Sequence, residues 1–412
     1  MELTMSQKQA LTDKIAKRYR KSTKQEKQKV LDEFIENTGY HRKYAIYLLT
    51  HWGTYTTVTL AGKQVRVVAG NASHGCIKET RGRAKRYSAR VLASLILIWK
   101  FFDYRCGKLL APLLRKNMRA IAAYPKFQVT KEVQEKLMSI SPATIDRLLK
   151  PERKKLQIKG KSHTKAGLLL KHQIPIRVYF DWDERVPGFF ELDTVAHDGG
   201  YASGEYCFTL TATDISSGWI ELRPLRNKAQ RWVKESVEEI YLALPYLLRG
   251  IDSDNGGEFI NKQLLSWCID HSVTFTRGRP YKKNDNCFVE QKNGDIVRKY
   301  IGYYRFDTEE EYEALKAVYA VLCPVINYFY PSQKIISKTR VGAKIVKTYD
   351  APKTPCERIV EALPADDNIT RELLTQQAAQ YDLIELKIQL DAACETLMQR
   401  YYAKLDLQKA AL

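Results

Sequence analysis

Three carboxylates in the middle of the chain lie in contexts that suggest a shared site. Asp193 ends a short apolar run in FFELDTVAH, Asp254 stands where an apolar run breaks in RGIDSDNGGEF, and Glu290 in NDNCFVEQKNG lies near the start of a helical segment. Divalent cations such as Mg²⁺ take oxygen ligands, and two of them can clamp the attacking and leaving oxygens of a phosphoryl transfer. The residue types therefore indicate a site for divalent metal.

Other acids nearby compete for the same role. Asp252 precedes Asp254 by two residues, so it points to the same face if the strand continues, and it is the most serious rival. Asp214 is interpreted as a turn residue and Asp285 as a helix cap. The remaining acids close in sequence are Asp198 and Glu258.

The segments around these acids must form elements that position them. Hydrophobic periodicity predicts strands at 188–196, 205–213, 218–225, 247–252 and 273–276, and helices at 228–243, 257–270 and 287–300. Three strands joined by turns, followed by strands that alternate with helices, are typical of a mixed sheet covered by helices. Periodicity alone therefore predicts an α/β fold.

This order of residues resembles the integrase catalytic core of the DDE transposases and retroviral integrases. The matching pieces are Asp193 on a predicted strand, the Ser-Asp-Asn-Gly turn at 253–256, Phe259 after it, and the approach from Asn284 to Glu290. The 35 residues between Asp254 and Glu290 also match the interval of that family. The resemblance covers roughly residues 180–330.

The resemblance implies a ribonuclease-H-like fold, in which both aspartates project from adjacent central strands and Glu290 approaches from a helix. In that family the Asp-Asn-Gly turn places the ligand at its aspartate, which selects Asp254 over Asp252. The resemblance also implies two Mg²⁺ (or Mn²⁺) ions per active site, held by Asp193, Asp254 and Glu290. Such a site needs no covalent protein intermediate, so no Ser, Tyr or Cys nucleophile is expected.

The charge is unevenly distributed over the 412 residues, whose net charge is +20. Residues 1–180 contain 38 Lys and Arg against 12 Asp and Glu, a net charge of +26, whereas the remainder contains 29 against 35, a net charge of −6. A front half this basic predicts a polyanionic partner. Double-stranded DNA fits best, because neutralising phosphates releases counterions. A basic protein without a particular partner is the less favoured interpretation.

Two stretches of the front half have the outline of a helix-turn-helix motif. In the first, a predicted helix at 24–37 is followed by Gly39 and then by a helix whose leading residues are His41, Arg42 and Lys43. Leading residues of the second helix contact base edges in such motifs, which makes Arg42 and Lys43 candidate DNA contacts. An ordinary helical hairpin is the alternative.

The second outline is better formed. Thr130 can cap a helix, and Ser141 followed by Pro142 is a strong start signal for the next one. Thr144 and Arg147 on that helix would face a DNA groove, while its apolar residues would face the core.

Cationic segments lie around these elements. The first, predicted either to enter a narrow minor groove or to be a solvated loop, contains Arg81, Arg83, Lys85 and Arg86. The second precedes Glu290, is predicted to grip DNA near the reacting phosphate, and contains Arg277, Arg279, Lys282 and Lys283. Residues 151–180 are basic without clear periodicity and are interpreted as a linker along the phosphate backbone.

The chain is therefore predicted to be a multidomain α/β protein. Its segments are an N-terminal helix-turn-helix (1–56), a hairpin or basic arm with a helical region (57–126), a second helix-turn-helix (127–150), the basic linker (151–180), the ribonuclease-H-like integrase core (181–334), a small β domain such as a barrel (335–362) and a C-terminal helical tail (363–412). In the tail a helix is predicted at 370–404. Its Leu383, Leu390 and Leu397 predict either a coiled-coil seam or packing on the chain's own core.

The eight cysteines are scattered without a CxxC pair, which excludes a disulfide scaffold and a zinc ribbon. The zinc module at the front of retroviral integrases is not expected, since His74 and Cys76 are the only close His/Cys pair in residues 1–180. The start MELTMSQKQA lacks the apolar core of a signal peptide, and the longest apolar run, 91–99, is too short to span a bilayer. We expect reduced thiols and a cytoplasmic, nucleoid-associated bacterial protein without a membrane partner.

Charge, motifs and resemblance together predict the DNA transposase of a bacterial insertion sequence. It would bind the terminal inverted repeats, cut to expose 3′-OH ends and join them to target DNA by two-metal phosphoryl transfer. Because two ends must be joined, a homodimer or higher oligomer on DNA is expected. The alternative is a domesticated, catalytically inactive sequence-specific DNA-binding protein, against which the presence of all three acids argues. A general ribonuclease H would not need so basic a front half.

Overall fold

The computed structural model of the chain describes residues 3–60, 63–68, 86–156, 186–253, 256–259, 261–277 and 287–410. The chain divides into two compact units, a front unit (Met1–Arg86) and a larger unit (Tyr87–Leu412). Across the described ranges, no helix is long and apolar enough to cross a membrane.

Three helices make up most of the front unit. They are α1 (Met5–Lys21), α2 (Lys24–Thr38) and α3 (Arg42–His51). Gly39, at a φ of +70°, ends α2 in the left-handed conformation that glycine adopts without strain. Apolar residues at helical spacing meet in one cluster, which includes Leu31, Phe34 and Leu49. The helix predicted at 24–37 and the helix predicted to begin with His41, Arg42 and Lys43 are therefore both found.

A two-stranded antiparallel pair follows the three helices. Its strands are β1 (Tyr55–Leu60) and β2 (Lys63–Val68). The β-prone run at 54–69 thus forms a hairpin. Most of the predicted basic arm, including Arg81, Arg83 and Lys85, lies outside the described residues.

Four helices begin the larger unit. They are α4 (Ala89–Phe101), α5 (Gly107–Ala123), α6 (Lys131–Ser139) and α7 (Pro142–Leu156). The hydroxyl of Ser141 accepts the backbone N–H of Thr144 at 3.3 Å, so α7 starts at the predicted Ser-Pro signal. One prediction was wrong here. The basic linker was predicted to begin at 151, but α7 continues to Leu156. The rest of the predicted linker, 157–180, lies outside the described residues.

The central sheet has five strands, β3 (Phe189–Ala196), β4 (Phe208–Asp214), β5 (Ile220–Leu225), β6 (Gly250–Ser253) and β7 (Thr274–Arg277). Their order is β5-β4-β3-β6-β7. Strand β4 is antiparallel to both β3 and β5, whereas β6 is parallel to β3 and β7. Two helices connect the later strands, α8 (Gln230–Ala243) and α9 (Lys262–Asp270). This mixed sheet confirms the predicted ribonuclease-H-like core.

The two faces of β3 pack against different parts of the larger unit. Phe190 and Leu192 contribute to a core that includes residues of α8 and α9. The alternate residues face the other way, and Val195 joins a second core with Val297, from the helical run 287–301. Alternation along the strand therefore directs Glu191 and Asp193 toward that helical run.

The helical run 287–301 consists of α10 (Cys287–Lys292), a π-helical segment (Asn293–Val297) and α11 (Arg298–Ile301). Helix α12 (Glu309–Pro324) follows and ends in a second π-helical segment (Val325–Phe329). Apolar residues of these elements share one core with α4 to α7, as Leu95, Leu149 and Leu315 show. The second helix-turn-helix candidate, predicted as a segment of its own, is thus part of the larger unit.

The small β domain predicted at 335–362 takes a different form. Strands β8 (Ile335–Val341) and β9 (Lys344–Tyr349) make one antiparallel pair, and helix α13 (Pro355–Ala362) follows it. Residues 335–362 are all described, and they contain a hairpin and a helix but no barrel. Two strands cannot close into a barrel, because each leaves one edge without a neighbour.

The C-terminal tail contains two helices rather than the single one predicted at 370–404. They are α14 (Asn368–Gln380) and α15 (Leu383–Ala410). Leu383, Leu390 and Leu397 are at most 1% exposed and belong to the large core of their own chain. Of the two predicted alternatives, packing on the chain's own core is therefore the one found, and the leucine stripe offers no coiled-coil seam.

Candidate active site

Asp193 lies in the middle of β3, half-buried and opposite Thr211 of β4. One of its carboxylate oxygens accepts the backbone N–H of Thr194 at 2.8 Å. The other accepts the side-chain amide of Asn293 at 2.7 Å. Because Asn293 belongs to the helical run 287–301, this hydrogen bond joins the strand to the helix predicted to carry the third acid.

Glu191 makes a second connection between the same two elements. It is fully buried on the same face of β3, two residues before Asp193, and accepts the backbone N–H of Val289 at 2.9 Å. The two acids therefore contact the helical run at Val289 and Asn293, about one turn apart. The backbone of Glu290 lies between these two contacts. Its side chain, and all of Asp254, lie outside the described residues.

The helical run changes its winding at this point. Residues Asn293–Val297 are π-helical, immediately after α10. Such segments insert extra residues into a helix and are frequent at functional sites. Below the π segment, the guanidinium of Arg298 donates to the carbonyl oxygen of Ala196 at 2.8 Å, at the end of β3. Three contacts along β3 thus fix the position of this helical run.

Asp252, the rival for the second acid, lies deeper than Asp193. It is 2% exposed, is in register with Glu191 on the neighbouring parallel strand, and accepts the hydroxyl of Thr276 at 2.6 Å. Its lateral neighbour on β3 is therefore Glu191 and not Asp193. Among the described residues, no group of three or more His, Cys, Asp or Glu side chains could hold a metal ion.

Glu258 lies closer to Asp193 than its sequence position alone indicates. Its carboxylate accepts the hydroxyl of Thr194 at 3.3 Å and lies 2.9 Å from the ammonium of Lys228. Burial acts to raise the pKa of Glu258, but the hydrogen bond and charge of Lys228 outweigh it and lower the pKa overall. Glu258 is therefore ionised near neutral pH.

The remaining acids have structural contacts. Asp214, buried at the end of β4, accepts the backbone N–H and the hydroxyl of Ser217 at 2.6 and 2.7 Å, in agreement with its interpretation as a turn residue. Asp198 accepts the backbone N–H of Gly200 at 3.0 Å in a loop. Asp285 lies outside the described residues.

Several predicted DNA contacts are placed on the surface of their own unit. Arg42, at the start of α3, pairs with Asp32 at 2.5 Å, and Lys43 beside it is exposed. On α7, the guanidinium of Arg147 donates to the hydroxyl of Thr144 at 3.0 Å. Two further predicted DNA contacts, Arg86 and Arg277, are also exposed. Those outside the described residues are Arg81, Arg83, Lys85, Arg279, Lys282 and Lys283.

Buried thiols and histidine give no sign of a covalent nucleophile. Burial raises the pKa of Cys207 to about 12 and that of Cys268 to about 11, so both stay protonated, and the thiolate is the reactive form. His197 is buried and 2.7 Å from the hydroxyl of Thr209, and burial lowers its pKa to about 3. The described cysteines are all free of disulfide bonds.

Sequence reasoning gave no sign of a cavity of about 620 Å³ beside the helical run, whose lining includes Asp103 and Asp295 as well as cations. The guanidinium of Arg105 lies 3.4 Å from the ring centre of Tyr330 in its wall, and Lys292 and Lys299 also line it. Burial and the charges of Lys334 and Arg105 lower the pKa of Lys292 to about 8. Contacts between residues so far apart in sequence leave no local pattern.

Three comparisons relate the chain to known proteins. The sequence model of the family described as "Integrase core domain" matches residues 183–283. The uncharacterized protein y4rM of Sinorhizobium fredii is 35% identical over 358 residues, which cover 86% of this chain and 96% of y4rM. The crystal structure of the catalytic core domain of BIV integrase is similar at 17% identity and a TM-score of 0.27, over 42% of this chain and 95% of that one.

The chain belongs to the family of DDE transposase and integrase-type proteins, a family of polynucleotidyl transferases. One relative that spans most of the chain is y4rM. Integrase core domains generally depend on divalent metal and act on DNA.

Proposed function

We propose that this protein is a DNA transposase that binds the terminal inverted repeats of a mobile element, cuts to expose 3′-OH ends and joins them to target DNA. The observation that carries this proposal is the hydrogen bond from Asn293 to Asp193 at 2.7 Å. It holds the helix of Glu290 against the strand of Asp193, as a site shared by these acids requires. Membership in the integrase family supplies the reaction class.

Asp193, Asp254 and Glu290 are the proposed metal ligands. Their oxygens are hard donors of the kind that Mg²⁺ and Mn²⁺ take, and Asp193 is only half-buried, so the residue types fit two such ions. When bound, the ions would lower the pKa of a water molecule and clamp the attacking and leaving oxygens of the phosphodiester. Asp252 is less suited, because it lies beside Glu191 and is already bound by Thr276.

The other residues of the site would position these ligands and the DNA. Asn293 and the backbone of Thr194 orient the carboxylate of Asp193, and the buried Glu191 holds the start of the helical run. Arg277, exposed at the end of β7, would contact the phosphate backbone next to the site. In the loop that follows it, the same role is proposed for Arg279, Lys282 and Lys283.

Recognition of the element ends is proposed for the two helix-turn-helix candidates in the basic front half. The exposed Arg147 on α7 is the favoured base contact, because Arg42 is paired with Asp32. If Arg147 reads a guanine, Arg147→Ala relaxes base preference by about 1–3 kcal/mol. Selection of bound sequences from a random pool measures this. An unchanged selected motif would remove Arg147 from the recognition surface.

A homodimer or higher assembly on paired ends is part of the proposal, because one chain contributes one set of acids and two ends are joined. Net charge of +20 repels like chains until DNA neutralises it. The leucine stripe of α15 is buried in its own chain, so the subunit contact must use another surface. Sedimentation of the complex with end DNA tests this, and a complex with only one chain would contradict it.

The decisive experiment compares Asp254→Asn with Asp252→Asn in the full chain. Asparagine keeps the shape of aspartate but weakens metal binding, so Asp254→Asn should abolish Mg²⁺-dependent strand cleavage and leave DNA binding largely intact. Asp252→Asn should retain cleavage when folding is preserved. Normal cleavage by Asp254→Asn together with its loss in Asp252→Asn would transfer the role to Asp252. A wild-type chain that binds ends but never cleaves would support the DNA-binding alternative.

A further inference from the structure

The strands β8 and β9 form a hairpin with unusual exposure, called here the basic hairpin (335–349). Each of its residues whose side chain is described is exposed, including Ile336 at 67% and Val346 at 51%. A two-stranded hairpin is marginally stable in water unless another surface packs on it. Within the part of the chain that the structure describes, neither face of the basic hairpin is covered by another element, so both faces are open to a partner.

The charges of the basic hairpin identify the chemistry of that partner. Residues 335–349 contain no Asp or Glu, and their cations are Lys338, Arg340, Lys344 and Lys347. Lys338 and Lys347 lie directly opposite each other on the two strands, and Arg340, two residues from Lys338, shares their face. Like charges directly opposite destabilise a strand pair. Water and salt screen this repulsion between exposed cations, and a polyanion bound on their face would turn it into attraction.

The base of the basic hairpin is bonded to other parts of the larger unit. The backbone N–H of Lys334 donates to the carboxylate of Asp350 at 2.7 Å, and the N–H of Asp350 donates to the carbonyl of Lys334 at 3.0 Å. Arg358 of α13 pairs with Asp350, and the ammonium of Lys334 donates to the carbonyl of Ile215, after β4. A ligand held by the hairpin is therefore held at a fixed place relative to the central sheet.

The hairpin base lies near the start of β3. Ile215 follows the end of β4 at Asp214, which pairs with Phe190, three residues before Asp193. The cavity beside the helical run adjoins the hairpin base, since Ser332 and Gln333 line it together with Arg105.

We propose that the basic hairpin is a DNA-binding β-ribbon that holds the duplex by its phosphates. A two-stranded ribbon fits the major groove of B-DNA, which is about 12 Å wide. Four cations without an acid suit phosphate contacts, which are independent of sequence. The inference rests on the proposed function for its biological setting, but the binding itself does not require cleavage.

The test compares two full-length variants that lose the same charge. The hairpin variant carries Lys338→Gln, Arg340→Gln, Lys344→Gln and Lys347→Gln. The control carries four equivalent changes at exposed positions elsewhere in the larger unit, namely Lys262→Gln, Lys316→Gln, Arg400→Gln and Lys409→Gln. Affinity for a mixed-sequence duplex is measured over a range of salt concentrations.

Each phosphate contact contributes about 0.9 to the slope of log affinity against log salt, so the hairpin variant should lose up to about 3.6 of slope. The control should lose little, because its charges are not proposed to contact DNA. Equal slopes in the two variants, or a wild-type chain that binds no duplex, would overturn the inference. So would a hairpin variant that changes only self-association in sedimentation.

A single charge reversal separates binding from folding. Lys347→Glu places an acid opposite Lys338, so the melting temperature should rise slightly while duplex binding becomes weaker than in Lys347→Gln. Duplex binding by Lys347→Glu as strong as by the wild type would contradict the ribbon. Cleavage in the Asp254→Asn comparison is read separately, so a failure of the proposed reaction leaves this result interpretable.

Discussion

On one face of the central sheet, the acids of an inner row, Glu191 and Asp252, differ in their surroundings from the one described acid of an outer row, Asp193. In the inner row, Glu191 and Asp252 are in register, buried, and bound by the N–H of Val289 and the hydroxyl of Thr276. In the outer row, Asp193 is half-buried and accepts a side-chain amide from the helical run. Buried acids with fixed partners suit a structural role, whereas a half-exposed acid can exchange partners. Glu191 and Asp193, two residues apart on β3, are thus suited to a structural role and to a catalytic role, respectively.

The strongest test of this contrast removes the partner of the outer row. Asn293→Ala leaves Asp193 without its side-chain donor, and loss of a group that orients a metal ligand typically costs about 10–100-fold in activity or metal affinity. We expect cleavage to fall by that factor and to recover partly at high Mg²⁺, while thermal stability changes little. Cleavage assays over a range of Mg²⁺ concentrations measure the effect.

Gln291→Ala is the matched control, because Gln291 is exposed on the same helical run and its side-chain amide donates to Asp295 instead of Asp193. It should leave the Mg²⁺ dependence unchanged. The same Mg²⁺ dependence in Asn293→Ala as in the wild type would show that the outer row does not need its amide.

A substitution in the inner row should reduce activity less than Asn293→Ala does, but it should clearly reduce stability. Glu191→Ala leaves the buried N–H of Val289 without its acceptor, which costs about 1–3 kcal/mol in the free energy of unfolding. Urea unfolding measures this cost. Glu191→Gln retains an acceptor oxygen of the same reach and should lose less. If Glu191→Ala abolished cleavage at full stability, Glu191 would belong to the chemistry instead.

The sequence predicted the elements of the core well, because each has a local signal. Alternating apolar residues predicted the five strands near their observed positions, and Ser141 with Pro142 predicted the start of α7. The fold itself followed from the spacing of the acids through the family resemblance. The convergence of all three acids remains a prediction, since Asp254 and the side chain of Glu290 are outside the described residues.

Features that depend on distant contacts could not be predicted in this way. Asn293 and Asp193 are separated by 100 residues, so no spacing marks their hydrogen bond. Glu191 looks like any charged residue on a strand until its burial is known. The tail leucines satisfied a coiled-coil pattern and a core-facing pattern equally, because both require apolar residues on one helical face. Only packing against α5, α12 and the second π-helical segment distinguishes them.

The position of α15 also determines when the larger unit can fold during synthesis. Leu390 and Leu397 complete a core whose other members, such as Leu95 and Leu149, leave the ribosome some 240 residues earlier or more. Domains generally fold as units during synthesis, so the larger unit can close only after α15 has been made. A message cut short before this helix would yield chains that expose this core. Such chains would be substrates for proteases.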